Sequence, residues 1–489
     1  MASVSSVILR KGFDTVVIGA GTAGSIIAGN LAFDGVKTLL IERGSMNDLP
    51  GWLSEMPAGR VYNRLTQRYP AVQETQGTTN NTVSLQSARI CGGACVTGDL
   101  SWVPGFAEEY ASWWPAERLT ADFVDVERRS VPTGMSPRGA VLSKSSFNSL
   151  HYKMFLQGCC DTLGCDFENF EKVGPLKVVP PSGGIVGRAP VRITANGEAA
   201  TTFRQYVRSA LKDAVASRSL TVSPNTEAEK VVITQKTAQA IEVVMKDERI
   251  LVPCARVVLC AGAIESPRLL AASGITAAGL GSNLHDVVEA SLTVPLSGQP
   301  YSLSYLAATS PLVLGSIRAE WQFRRDGWGT SDFSDTIAIV QSKKIEKAFL
   351  SLSLLPYGST TQPDITLVAR VATPFSRGLV TRDIIESPHL NDARDKILLE
   401  EALDLAKALV TRSKDFSKCV NGNELRVQAP RSASQCGGTC ALGTVVDAST
   451  FRVNETDNTF VCDSSVVPKP LTGGLTPAVM MLASSFGKS

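Results

Sequence analysis

Residues 14–44 read DTVVIGAGTAGSIIAGNLAFDGVKTLLIERG, and this stretch decides the fold. Asp14 to Ile18 is a short apolar run that predicts a strand. Gly19, Gly21 and Gly24 then complete the pattern GxGxxG. A helix is predicted from about Ala23 to Phe33, and a second strand, Lys37 to Ile41, ends at Glu42. Each residue has a physical task in such a strand–helix–strand unit. Gly19 allows the tight turn, Gly21 lets backbone approach a pyrophosphate, and Gly24 allows the helix to pack closely on the strand. The helix start offers unpaired N–H groups and the positive end of its dipole to phosphate. Glu42 stands where an acid accepts hydrogen bonds from a ribose diol, which favours FAD or NAD over NADP.

The chain has 489 residues, enough for more than one domain, with 44% hydrophobic and 19% charged residues, the balance of a globular protein with a sizeable core. A net charge of +2 gives no ground for a nucleic-acid or anionic-membrane surface. No apolar run is long enough for a membrane-spanning helix. The start, MASVSSVILRKGF, is Ser-rich with Arg10 and Lys11 and lacks the apolar core of a secretory signal. It faintly resembles a mitochondrial presequence and reads more simply as a polar lead-in to the first strand. The expected location is intracellular, mitochondrial first and cytoplasmic next. Eleven cysteines, an odd number, predict reduced thiols. The sequons at 80–82 and 454–456 carry no weight without secretion.

Three further segments carry a family resemblance: ARICGGACVTGDLSWVPG at 88–105, VVLCAGAIESPRLLAASGI at 257–275, and the C-terminal part from Gly438, with VVDASTFRV and CDSSVVPKPLTGG. Together with the N-terminal motif, and in this order, they resemble the glucose–methanol–choline (GMC) oxidoreductases, which depend on FAD. The resemblance implies an α/β fold: a Rossmann-like FAD-binding domain with a doubly wound parallel sheet, and a smaller α+β cap domain with an antiparallel sheet. The FAD domain is expected to be discontinuous, from residues 1–105, 201–290 and 431–489, with the cap from 106–200 and 291–430. Read from the residues alone, Arg256 to Cys260 is a buried strand, Ala261-Gly262-Ala263 a tight turn, and Pro267 a first-turn residue of the next helix. Asp392 to Ser413 has helical spacing of its leucines. Ser136 to Ser149 reads as a loop, and TPFSRGLVTRD at 373–383 resembles a strand-rich stretch of the family. The resemblance adds Arg89, Gly92, Gly93, Val231, Ala261, Gly262, Asp463 and Ser464 to Gly19, Gly21, Gly24 and Glu42 as the cofactor site. It also likens Gly281 to Asp286 to a segment near the flavin.

At the reacting ring the chain departs from the family pattern. Alcohol-oxidising members resemble one another in a histidine three residues before a Gly-Thr pair, assisted by a second His or Asn before the last helix. Here Gly438-Thr439 is the pair and the residue before it is Gln435. A carboxamide can hydrogen-bond an alcohol but cannot take its proton at neutral pH. The assisting position falls at Gly474, or at Leu475. Gly98 stands where Asn is usual, and Ala94 and Cys95 replace two serines. The three histidines, His151, His285 and His389, match no catalytic motif. Cys436 is a candidate substitute base or nucleophile. The pairs 91/95 and 436/440 have a spacing that raises, and does not favour, a metal; none is expected. Cys440 is expected to pack, and Trp113 to pack at a domain interface. The function expected is an FAD-dependent oxidoreductase acting on a CH–OH donor with impaired or altered chemistry. The alternative is an inactive homologue serving as a structural subunit of a larger assembly, with or without FAD.

Overall fold

A computed structural model of the chain describes residues 4–46, 51–66, 73–79, 83–127, 139–143, 150–168, 170, 174–176, 183–297, 302, 305, 309–359, 361–420 and 425–487. The sequon at 80–82 and most of the Ser-rich 136–149 stretch lie outside them. The described part of the latter is not all loop, since Leu142–Ser143 pairs antiparallel with Val191–Arg192.

The motif strand is Phe13–Ile18, followed by the helix Thr22–Phe33 and the strand Thr38–Ile41. Five strands run parallel in the order Leu220–Ser223, Thr38–Ile41, Phe13–Ile18, Glu248–Leu259, Thr459–Val461. The chain starts in the middle of this order, adds strands on one side and then on the other. A crevice therefore opens at the carboxyl ends beside Phe13–Ile18, where open α/β sheets bind ligands. Glu248–Leu259 serves two ladders. Its first half alternates buried and exposed residues and pairs antiparallel with Thr237–Met245; its second half is buried and pairs parallel with Phe13–Ile18. The residues show part of this: the strand opens on the exposed Glu248 and Arg249, while VVL is apolar throughout, as a strand covered on both faces requires.

The second sheet is mainly antiparallel. Its order is Arg426–Val427, Val288–Pro295, Asp364–Val371, Phe349–Leu355, Thr336–Gln341, Ile185–Arg188 and Asp166–Phe167, with Arg431–Ser432 also paired to Val288–Pro295. The helix Ala393–Arg412 packs on it. Asp392 caps that helix, accepting the Arg394 N–H at 2.9 Å. The expected α/β architecture, a parallel sheet joined to an antiparallel one, is the one observed.

Three details differ from expectation. Tyr110, Trp113, Trp114, Leu119, Phe123 and Val126 belong to the core of the FAD-binding domain, and Ser484 of the last helix donates to Asp125. Conversely, Met56, Ala58 and Val61 pack with the antiparallel sheet. The boundaries drawn from family segments thus do not follow the cores, and Trp113 is a core residue rather than an interface one. In 373–383 the only strand is Leu379–Val380, paired with Ile385–Glu386. Finally, Pro267 lies inside the helix Gly262–Ala272, not in its first turn. Proline there leaves the carbonyl of Ala263, four residues earlier, without its helical donor. The Thr439 hydroxyl supplies one, at 2.7 Å. The helix tolerates its proline because the Gly-Thr loop repairs it. Thr439→Val, which keeps the shape and removes the donor, is expected to cost about 1–3 kcal/mol, read as a lowered denaturation midpoint at unchanged slope.

Candidate FAD and substrate cavity

A cavity of about 1680 Å³ runs from the carboxyl ends of the parallel strands to the face of the antiparallel sheet. Typical small-molecule pockets are about 300–1,000 Å³, so this one has room for a dinucleotide and a second molecule. Gly19, Gly21, Glu42, Gly93, Ala261, Gly262, Asp463 and Ser464 all line it. An added Cβ on Gly93, whose φ is +53°, would stand 2.7 Å from the Gly21 Cα. The CGG turn and the GxG turn therefore meet backbone to backbone, leaving the floor bare for a pyrophosphate. Glu42 accepts the Ala20 N–H at 2.9 Å and the Gly44 N–H at 2.8 Å. Burial raises its pKa against these two bonds.

Other expected cofactor residues stand behind the wall. Gly24 packs beneath Gly19 and Cys260 without lining the cavity. Gly92 donates to the Ala20 carbonyl at 2.7 Å. Arg89 is exposed and acts on Glu42 only through its charge. Val231 is buried in the core, its N–H given to Ser273 Oγ at 2.8 Å. The wall here is Thr226–Lys230, the start of the same strand, because the strand runs away from the crevice. Asp463 does more than line the cavity: it accepts the Gly262 N–H at 2.8 Å, the Ser266 hydroxyl at 2.6 Å and the Ser465 N–H at 2.8 Å. It thereby pins the AGA turn to the C-terminal segment.

The two positions singled out for proton chemistry meet. Gln435 and Gly474 both line the cavity, and a Cβ on Gly474 would lie 3.1 Å from Gln435 Oε1. Among the described residues the Gln435 side chain has no hydrogen-bond partner, so its carboxamide is available to a ligand. Its backbone is fixed: the Gln435 N–H donates to Asp286 Oδ1 at 2.6 Å, and Asp286 Oδ2 accepts from Ser432 Oγ and, at 2.9 Å, shares a hydrogen bond with His389 Nε2. Gly98, Leu475 and Cys436 also line the cavity. Burial and then the Asp286 charge push the Cys436 thiol well up, which removes it as a thiolate base. Cys440 is buried and packs in the core.

No histidine lines the cavity. His151 is buried away from it, and His389 is fully buried against Asp286 and Ser387. His285 lies directly behind the loop, where a Cβ on Gly437 would meet its ring at 2.6 Å. Its Nε2 is 2.9 Å from the Val467 carbonyl and therefore carries the proton, while Nδ1 is buried without a partner. Burial lowers its pKa to about 4. Cys95 takes a hydrogen bond from Arg192 at 2.9 Å and shares one with Thr22 Oγ1 at 3.3 Å. Burial raises its pKa, but these partners outweigh it and hold the thiol below the usual range. The thiol's neighbour is thus a guanidinium, and among the described residues no His, Cys, Asp and Glu group could hold a metal. Sequence reasoning passed over Asp99, Glu289, Arg370 and Arg431, which also line the cavity. Asp99 could have been noticed, since it adjoins Gly98.

Profiles described as GMC oxidoreductase match residues 13–289 and 374–483. The chain belongs to the GMC oxidoreductase family. An oxygen-dependent choline dehydrogenase of Xanthomonas axonopodis pv. citri (strain 306) is 25% identical, over 98% of this chain and 95% of its own length. Another, of Escherichia coli O6:K15:H31, is 24% identical over 97% and 94%. Among solved structures, a pyridoxine 4-oxidase of Mesorbium loti overlays with a TM-score of 0.78 at 19% identity, covering 97% of this chain and 98% of that one. A formate oxidase of Aspergillus oryzae RIB40, studied for its FAD modification, overlays at 0.80 and 18%, covering 96% of each. FAD is the cofactor of GMC oxidoreductases, and the bare glycine floor with Glu42 beside it fits one. Among the described residues of this GMC chain no helix is long and apolar enough to cross a membrane.

His285 gives a pH prediction. Its folded pKa lies below the unfolded value, so the unfolded chain binds the extra proton. Its contribution to stability is complete above about pH 6.5 and is lost as pH falls towards 4. Imidazole NMR shifts should show this ring neutral at pH 5.5, and His285→Gln should flatten the acid limb of the stability curve.

Proposed function

We propose that this GMC oxidoreductase binds FAD and removes hydride from a CH–OH donor slowly, because its proton-accepting position holds an amide. The observation that carries this reading is the Gln435 carboxamide facing the cavity beside Gly474. When bound, FAD supplies the hydride acceptor. The chain supplies the rest. The Gly19–Gly21 and Gly93 backbones leave room for the phosphates, and Glu42 receives the ribose. Asp286 fixes the Gln435 backbone, and Gln435 Oε1 orients the donor hydroxyl by accepting its proton in a hydrogen bond. The amide does not carry that proton away, so it passes to water.

The choline dehydrogenases among the relatives support an alcohol as donor. The same observation supports a second reading, a flavin-holding homologue that serves as a structural partner of other proteins. Anaerobic mixing of the purified protein with primary alcohols, monitored at the flavin absorption band, separates the two. Slow bleaching is the expected outcome; a bound flavin that no alcohol bleaches rejects the first reading. Positioned general-base catalysis is worth about 10²–10⁴ in rate. Gln435→His is therefore expected to speed alcohol-dependent bleaching by up to about that factor, with a new pH dependence near neutrality.

A further inference from the structure

On the cap side of the cavity, Glu289, Arg370 and Arg431 come together from three separate parts of the chain. Glu289 and Arg370 face each other across neighbouring strands, and Arg431 pairs with Glu289 on its other side. Arg370 Nε donates to Glu289 Oε2 at 2.6 Å and Arg431 Nε donates to Oε1 at 2.8 Å. One carboxylate therefore holds two guanidiniums, and it is itself only 5% exposed. Arg370 Nη1 donates to Ser353 Oγ at 2.9 Å. Arg370 Nη2 and both terminal nitrogens of Arg431 take no partner among the described residues. All three side chains line the cavity, with Leu355 and Tyr357 beside them.

We propose that this arginine pair is an anion subsite, and that the protein takes an alcohol bearing a carboxylate at its far end. Glu289 neutralises one guanidinium, and the charge of the second, with donors from both, faces the ligand. Asp99 also lines this side of the cavity and acts through its charge on Arg370, while Arg60, spent on the carbonyls of Cys95, Val96 and Gly98, adds a further positive charge. Arginine donors match a carboxylate's two oxygens. The guanidinium donors offset the cost of taking a substrate anion out of water, and the site disfavours a cationic alcohol. The loop that carries Arg431 also carries Gln435, four residues on. At an extended rise of about 3.3 Å per residue, the Cα atoms of Arg431 and Gln435 are separated by no more than about 13 Å. The hydroxyl and the carboxylate are thus set several bonds apart, with an apolar spacer against Leu355 and Tyr357.

This inference rests on the reading of the cavity as a flavoenzyme's substrate site, yet it is tested without turnover. Isothermal titration of the FAD-loaded protein uses three probes: 4-(hydroxymethyl)benzoate, its neutral amide, and choline. The benzoate is expected to bind roughly tenfold tighter than the amide, with choline weakest, and its affinity is expected to fall as salt is raised. Arg370→Gln is expected to abolish the preference for the benzoate over the amide. Should that variant not fold, Arg431→Gln, whose side chain is 56% exposed, is expected to reduce it severalfold. Equal binding of benzoate and amide, tighter binding of choline, or no binding of the benzoate overturns the anion subsite. An unreactive flavin overturns only the proposed activity and leaves the binding result standing.

Discussion

The Asp286 carboxylate is the constraint on which the reacting end of the cavity depends. It is fully buried, and it anchors Ser432, the Gln435 backbone and His389 at once. A buried carboxylate is tolerated only when its lone pairs are taken, and breaking such a network costs more than any one bond. The loop 432–436 has little regular structure, so these side-chain bonds and the backbone bonds to residues 285 and 287 fix its path. Remove the carboxylate and the carboxamide has no defined place, whatever the flavin domain does.

That domain is held by different means. Asp463 fastens the AGA turn, Thr439 repairs the proline in the helix beside it, and Gly93 settles on Gly21. These contacts join segments 72 to 201 residues apart at the point where the parallel sheet opens. The cofactor cradle is thus built mostly from backbone and tight turns, which survive side-chain replacement nearby. The other cavity positions that the family resemblance singles out depend on side chains, and there the chain carries Gly98, Gln435 and Gly474.

Local signals marked the cradle, and the family resemblance marked Gln435, Gly474 and Gly98, all three of which line the cavity. Glycine spacing, a strand on each side and a terminal acid are local signals, and Phe13 to Glu42 reads correctly from them. The helix Ala393–Arg412 is equally local, with Asp392 to start it. Other features are set by partners far along the chain. Val231 lies in the core rather than on the cavity wall, and nothing in its own neighbourhood says where the strand leaves the crevice. Pro267 sits mid-helix because of a threonine 172 residues later. The aromatic residues 110–114 join the FAD-domain core through the last helix and its approach, which no local pattern reveals. The Glu289–Arg370–Arg431 cluster exists only once three strands from separate parts of the chain are laid side by side.

Gly474 combines φ +100° with ψ +167°, a backbone state open in practice to glycine alone. It also abuts the Gln435 carboxamide. A histidine at 435 needs one codon change of side chain; a partner at 474 needs a different chain path into the final helix. A side chain at 435 is thus exchanged without moving the backbone, whereas any side chain at 474 strains it, and a partner at Leu475, which also lines the cavity, needs no new chain path.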